Sequence, residues 1–182
     1  LLIAQSDLPG TAEAEAILAA CEAIGATEAY RSEDPEQAEA LLGARRMAIQ
    51  ALEAKGDWLL DDVAIPRTRL AEAVAGIEEI AARHDVLIGT FGHAGDGNLH
   101  PTIVTPRGDA EAAERGMQAF NAILELSLRL GGTVTGEHGV GLLKRHSLYE
   151  ELDEPARDLH ARLKDAFDPL GILNPGKSLP RW

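Results

Sequence analysis

Apolar and polar residues recur along this chain with two different periods, and the switches between them mark successive strands and helices. Leu1-Leu2-Ile3-Ala4 is a short apolar run that reads as a strand, ended by the turn residues Asp7-Leu8-Pro9-Gly10. An Ala/Glu-rich helix follows, with Ile17, Leu18 and Cys21 on one face and Gly25 as its stop. Ala26 to Arg31 is a candidate second strand. Asp34-Pro35-Glu36-Gln37 is a helix start, with Asp as N-cap and Pro in the first turn, and that helix is expected to reach about Lys55-Gly56. Trp58 to Ile65 reads as a strand closed by Pro66. The next helix sets Leu70, Val74, Ile77 and Ala81 on one stripe.

Val86 to Phe91 and Leu99 to Thr105 are two strands flanking a glycine-rich turn. A long helix from about Asp109 turns Met117, Phe120, Ile123, Leu124 and Leu128 inward, with Arg129 in its last turn and Gly131-Gly132 ending it. A glycine-rich loop, a helix from about Pro155 to Phe167 and a proline-bearing tail complete the chain. This order predicts a layered α+β domain with a mostly antiparallel sheet and helices on one side. We expect residues 1–150 to form that domain and residues 151–182 to form a C-terminal helix and tail.

Composition narrows the function. At 182 residues, 45% apolar and 26% charged, the chain has the make-up of an ordinary globular protein. A net charge of −13 argues against a nucleic-acid partner, which needs a basic surface. The acids crowd into the first forty residues, from Glu13 to Glu39, and read as solvated helix faces. No stretch approaches the roughly 18 apolar residues of a membrane span. Cys21 is alone, so no internal disulfide forms. The chain opens at Leu1 without Met and is taken as a piece of a longer protein.

Two segments carry candidate chemistry. In Gly92-His93-Ala94-Gly95-Asp96-Gly97-Asn98-Leu99-His100, a turn over Ala94 to Gly97 sets His93 opposite Asn98. His93, Asn98 and His100 then share one face, which is half of a metal site; the competing reading is a pair of structural histidines. Asp96 reads as a turn residue. The second segment, Gly131 to Gly141, puts Glu137 and His138 side by side in a loop whose glycines permit close approach by a ligand. Two His and one carboxylate make a sensible divalent site. The glycines at 136, 139 and 141 do not follow a dinucleotide fingerprint, and no Gly-x-Ser-x-Gly or His-Glu-x-x-His is present. Arg45-Arg46 and Arg67/Arg69 remain as candidates for gripping an anion.

Together, Gly92 to His100, Glu137-His138-Gly139-Val140-Gly141 and Phe167 to Lys177 resemble the C-terminal domain of FAD-linked oxidases. The resemblance is to the group of cytochrome-type D-lactate dehydrogenases, glycolate oxidase FAD-binding subunits and D-2-hydroxyglutarate dehydrogenases. It implies ferredoxin-like connections, and FAD held mainly by an N-terminal domain that this chain lacks. It implies His93, His100 and Glu137 as ligands of a divalent metal, often zinc, and His138 as the base facing substrate. It further implies Arg45 and Asn98 on the substrate side and Asn174 on the flavin side.

Two departures from the hydroxyglutarate branch, Pro101-Thr102 after His100 and Leu60 in place of a lysine, favour lactate, glycolate or another small 2-hydroxy acid. The expected enzyme passes a hydride from C2 to FAD and then electrons to an acceptor protein or quinone. Its expected location is the cytoplasm, peripheral to the membrane through such partners. The fragment alone is expected to be inactive and to expose an apolar patch able to drive homodimerisation. The alternatives are a non-catalytic paralogue or assembly subunit, a flavin-free metal hydrolase, and a small-molecule regulatory module.

Overall fold

A computed structural model describes residues 1–6 and 11–178 and divides the chain into two units, residues 1–51 and 52–182. The expected turn at Asp7 to Gly10 and the last four residues of the tail lie outside the described residues.

The first unit is helical. Helix α1 spans Ala12–Ala23 and helix α2 spans Pro35–Arg46, while α3, Ala48–Glu53, begins here and runs into the second unit. Asp34 caps α2 by accepting the Glu36 N–H at 2.9 Å, as its sequence requires. The expected single helix from Pro35 to Lys55 is interrupted at Met47, whose N–H still reaches the Gly43 carbonyl at 3.2 Å. Neither expected strand forms: residues 1–6 and 26–31 carry no strand pairing, because the unit offers no sheet edge to receive them. Instead Tyr30 donates to Gln37, and Arg31 bridges Glu15 and Glu33. The described acids of this unit, Glu13 to Glu39, face solvent, as their pattern implies.

The second unit is built on an antiparallel sheet. Its strands are β1 (Asp57–Leu60), β2 (Val63–Ala64), β3 (Leu87–His93) and β4 (Asn98–Thr105). Strand β4 is central: β3 pairs along one edge, and β1 and β2 pair in succession along the other. The run Trp58 to Ile65, expected as one strand, is broken at Asp61-Asp62, both buried. Helix α4 (Leu70–His84) carries the chain from β2 across to β3, so two strands of like direction flank β4. That is the expected split β-α-β connection.

Helix α5 (Ala110–Arg129) starts at Asp109, which accepts the Ala112 N–H at 3.0 Å, and ends at Gly131 with φ +75°. Phe120, Ile123 and Leu124 of α5 pack with Ile77 and Ile80 of α4 and with Val63, Leu99 and Ile103 of the sheet. Each such fully buried side chain contributes about 1.5–3 kcal/mol. Gly76 of α4 lets the helices meet closely, since a Cβ there would lie 2.7 Å from Leu126. The buried stripe of α4 is Ala73, Ile77 and Ile80, with Val74 exposed; it has the same helical spacing as Leu70, Val74 and Ile77 but is rotated about the helix axis, so Ala73 takes the place expected for Val74.

Helix α6 (Arg145–Glu151) is a short element not foreseen in the loop. Helix α7 (Glu154–Phe167) is capped by Asp153 and leads to a tail pinned by Asp168. The Asp168 carboxylate accepts Lys164 Nζ at 2.6 Å and the N–H groups of Ile172 and Leu173 at 3.0 Å each. Leu142, Leu159, Leu163, Phe167, Leu170 and Ile172 are exposed apolar residues of this C-terminal stretch. No described helix is long and apolar enough to cross a membrane.

Gly97 sits at φ +78°, and a Cβ there would fall 2.1 Å from the Ile65 carbonyl oxygen. Gly108, at φ +70°, has open space around it. Gly108→Ala is expected to cost only backbone strain of about 1 kcal/mol. Gly97→Ala must also displace the β2 end, so its loss in urea unfolding should exceed that of Gly108→Ala.

Candidate metal centre

The register of the β3–β4 hairpin decides which side chains meet. His93 pairs with Asn98 and Phe91 with His100, and the turn between is closed by the Asp96 and Gly97 N–H groups donating to the His93 carbonyl. His93 and His100 therefore stand on one face, their rings edge to face with centroids 5.6 Å apart. The loop after α5 supplies the rest. It is tied to β2 by the bridge between Ala64 and Thr133, and His138 stacks on His100 at 4.8 Å. Glu137 Oε1 lies 3.0 Å from His100 Nε2, 3.8 Å from His93 Nε2 and 3.7 Å from His138 Nε2.

The four side chains differ in burial. His100 is largely covered, at 12% exposure, whereas His93, Glu137 and His138 are about half exposed, at 41%, 50% and 44%. The face is open to a ligand.

His93, His100 and Glu137 place one ligand atom each within 4.8 Å of one another. A four-coordinate ion with bonds of about 2.1 Å holds its ligands roughly 3.4 Å apart, a spacing the exposed His93 and Glu137 side chains can close to. Asp62, His100 and His138 form a second such group. That group is the poorer host, because one Asp62 oxygen is already saturated: Oδ2 accepts Thr135 Oγ1 at 2.8 Å and the N–H groups of Gly136, Glu137 and His138 at 2.9, 3.0 and 2.9 Å.

Asp62 is the residue that sequence reasoning missed, along with Asp61 and Lys144. All three are buried, and Lys144 Nζ binds Asp61 Oδ1 at 2.8 Å and the Asp62 carbonyl at 2.5 Å. The signal was present: two adjacent acids inside the apolar run Leu59 to Ile65 require buried partners. Burial raises the Asp61 carboxyl above its ordinary range despite Lys144. At Asp62 burial pushes the same way, but the hydrogen bonds from His138, Thr135 and Glu137, with Lys144, prevail and hold it below that range.

The other candidates are more dispersed. Asn98 is buried against the loop, where a Cβ on Gly136 would meet its Oδ1 at 2.4 Å. Asn174 is exposed in the tail at φ +45°. Arg45 is exposed on α2 and belongs to the first unit. Arg46 and Arg69 are engaged by Glu39 and Glu72.

A family model described as "FAD linked oxidases, C-terminal domain" matches residues 3–178. The chain belongs to this family. Among relatives of this FAD-linked oxidase domain, the glycolate oxidase subunit GlcD of Bacillus subtilis is 46% identical over 164 residues, which are 90% of this chain and 35% of that protein. GlcD of Escherichia coli is 32% identical over 157 residues, 86% of this chain and 32% of the relative. A D-lactate dehydrogenase of Archaeoglobus fulgidus is 34% identical over 168 residues, 91% and 36% of the two chains. The chain thus spans about a third of the length of the relatives it matches.

Burial, followed by neighbouring His138, lowers the His100 pKa below its ordinary 6.5, against the opposing pull of Asp62 and Glu137. The folded protein therefore takes up this proton less readily than the unfolded chain. The resulting stability is complete above the unfolded value near 6.5 and is lost as pH falls through it toward the folded value. Urea unfolding without metal is expected to show stability declining as pH is lowered below 6.5, with the decline reduced in His100→Gln.

Proposed function

We propose that this chain is the substrate-binding portion of an FAD-dependent dehydrogenase or oxidase of small 2-hydroxy acids, of the D-lactate or glycolate type. The observation that carries the reading is the convergence of His93, His100, Glu137 and His138 on one open face of an FAD-linked oxidase domain. In this reading His93, His100 and Glu137 hold a divalent ion, and two imidazoles with one carboxylate suit zinc. Bound metal supplies acidification of the substrate hydroxyl, and FAD, held mainly by another domain, supplies the acceptor for the hydride of C2.

This chain's residues do the rest. His138, adjacent to the ligand set and 44% exposed, takes the hydroxyl proton on Nε2. The loss of that proton and of the C2 hydride leaves the 2-oxo acid. Stacking on His100 fixes the plane of the His138 ring. Asn98, buried beside the loop, orients the substrate, a contribution of position. The exposed apolar residues Phe167, Leu170 and Ile172, with Asn174 among them in the tail, suit a face that covers a flavin domain and does not enclose the cofactor.

In the intact flavoenzyme, His138→Ala should lower kcat by about 100- to 10,000-fold with D-lactate or glycolate as substrate. Turnover equal to the parent's would remove His138 from the role of base. Zinc or manganese content should fall in His93→Ala and in Glu137→Ala; unchanged metal content in both would rule out this ligand set.

A further inference from the structure

We propose that Asp62 is the positioning residue of this centre: one carboxylate oxygen fixes the tautomer of His100, and the other gathers the loop carrying Glu137 and His138. The second half is direct geometry. Oδ2 accepts one hydroxyl and three successive N–H groups, from Thr135 to His138, so the loop is wrapped around a single buried oxygen. Three consecutive amides pointing inward at one anion turn the Glu137 and His138 side chains toward the histidines of the hairpin.

The first half rests on two atoms without partners. Asp62 Oδ1 and His100 Nδ1 are both buried, neither makes a hydrogen bond, and they face each other at 3.6 Å. Each left alone carries the penalty of a buried group without a hydrogen bond, and a shift of several tenths of an ångström joins them. A carboxylate only accepts, so His100 must donate from Nδ1. Its Nε2 is then the lone-pair nitrogen, and with Glu137 Oε1 at 3.0 Å two acceptors face each other across a gap that a cation, and no proton of His100, would join. A carboxylate behind the imidazole also raises the basicity of the nitrogen in front. Asp62 itself touches neither ion nor substrate. The metal half of the inference rests on the proposed function; the tautomer half does not.

Asp62→Asn separates the two halves. The loop's four donors require the carboxamide oxygen at the Oδ2 position, which leaves the NH2 group facing His100 Nδ1. A donor there forces His100 to accept at Nδ1 and to carry its proton on Nε2. The tautomer is read in the whole chain, without metal, from the imidazole ¹⁵N shifts and their couplings to ring protons at pH 8. The parent is expected to hold the proton on Nδ1, and Asp62→Asn to move it to Nε2. Zinc affinity, measured by competition with a chromophoric chelator, is expected to fall by about 10- to 100-fold in the variant.

A parent with its His100 proton on Nε2 overturns the proposal, whether or not the variant folds. So does a folded Asp62→Asn that keeps the Nδ1 proton and the parent's zinc affinity. If the proton moves as expected while the parent binds no zinc, Asp62 retains its role toward His100 and the metal reading fails instead.

Discussion

A single buried carboxylate oxygen that accepts four hydrogen bonds is the constraint on which the candidate centre depends. Asp62 lies at the break between β1 and β2, beside the middle of β4, so its position is set by the sheet. The glycine-rich loop has no regular hydrogen bonding of its own from Gly136 to His138 and takes its course from that oxygen. Rigid scaffold and adaptable loop are thus joined at one atom. Two histidines come from the hairpin, and a carboxylate and a third imidazole come from the loop.

Charge follows the same arrangement. Among the described residues Lys144 is the one lysine or arginine that pairs with the buried acids, and it binds Asp61 through its carboxylate but Asp62 through its carbonyl. The Asp62 charge is therefore met mainly by amide dipoles, and Glu137 lies just beyond it. A surface with a fixed negative group behind the His100 imidazole favours a cation in front of it. Burial of His100 works in the same direction, since it keeps that imidazole in the uncharged form a metal requires.

Much of this was legible in the chain. The hairpin register followed from the turn residues Ala94 to Gly97, because a four-residue turn between apolar runs leaves one pairing, and His93 opposite Asn98 is that pairing. Helices α2 and α5 begin behind Asp34 and Asp109 as read, and α7, read from about Pro155, begins one residue earlier behind Asp153; each of the three acids accepts from an N–H of its helix's first turn. The two N-terminal strands failed because an apolar run specifies a strand only where a sheet edge awaits it. The seven-residue helix α6 escaped because it begins at Lys144 without a side-chain cap. Asp61 and Asp62 interrupt the apolar run from Trp58 to Ile65, which signals that they need partners but not which ones. Their meaning lies in partners more than seventy residues away, which no local pattern reports.

The most direct test of the account is anomalous X-ray diffraction at the zinc edge from crystals of the chain grown or soaked with stoichiometric zinc. The account predicts one strong peak bonded to His93, His100 and Glu137 at distances of about 2.0–2.2 Å, with Asp62 standing behind His100. A peak bonded instead to Asp62, or zinc bound elsewhere with these three side chains free, would contradict it.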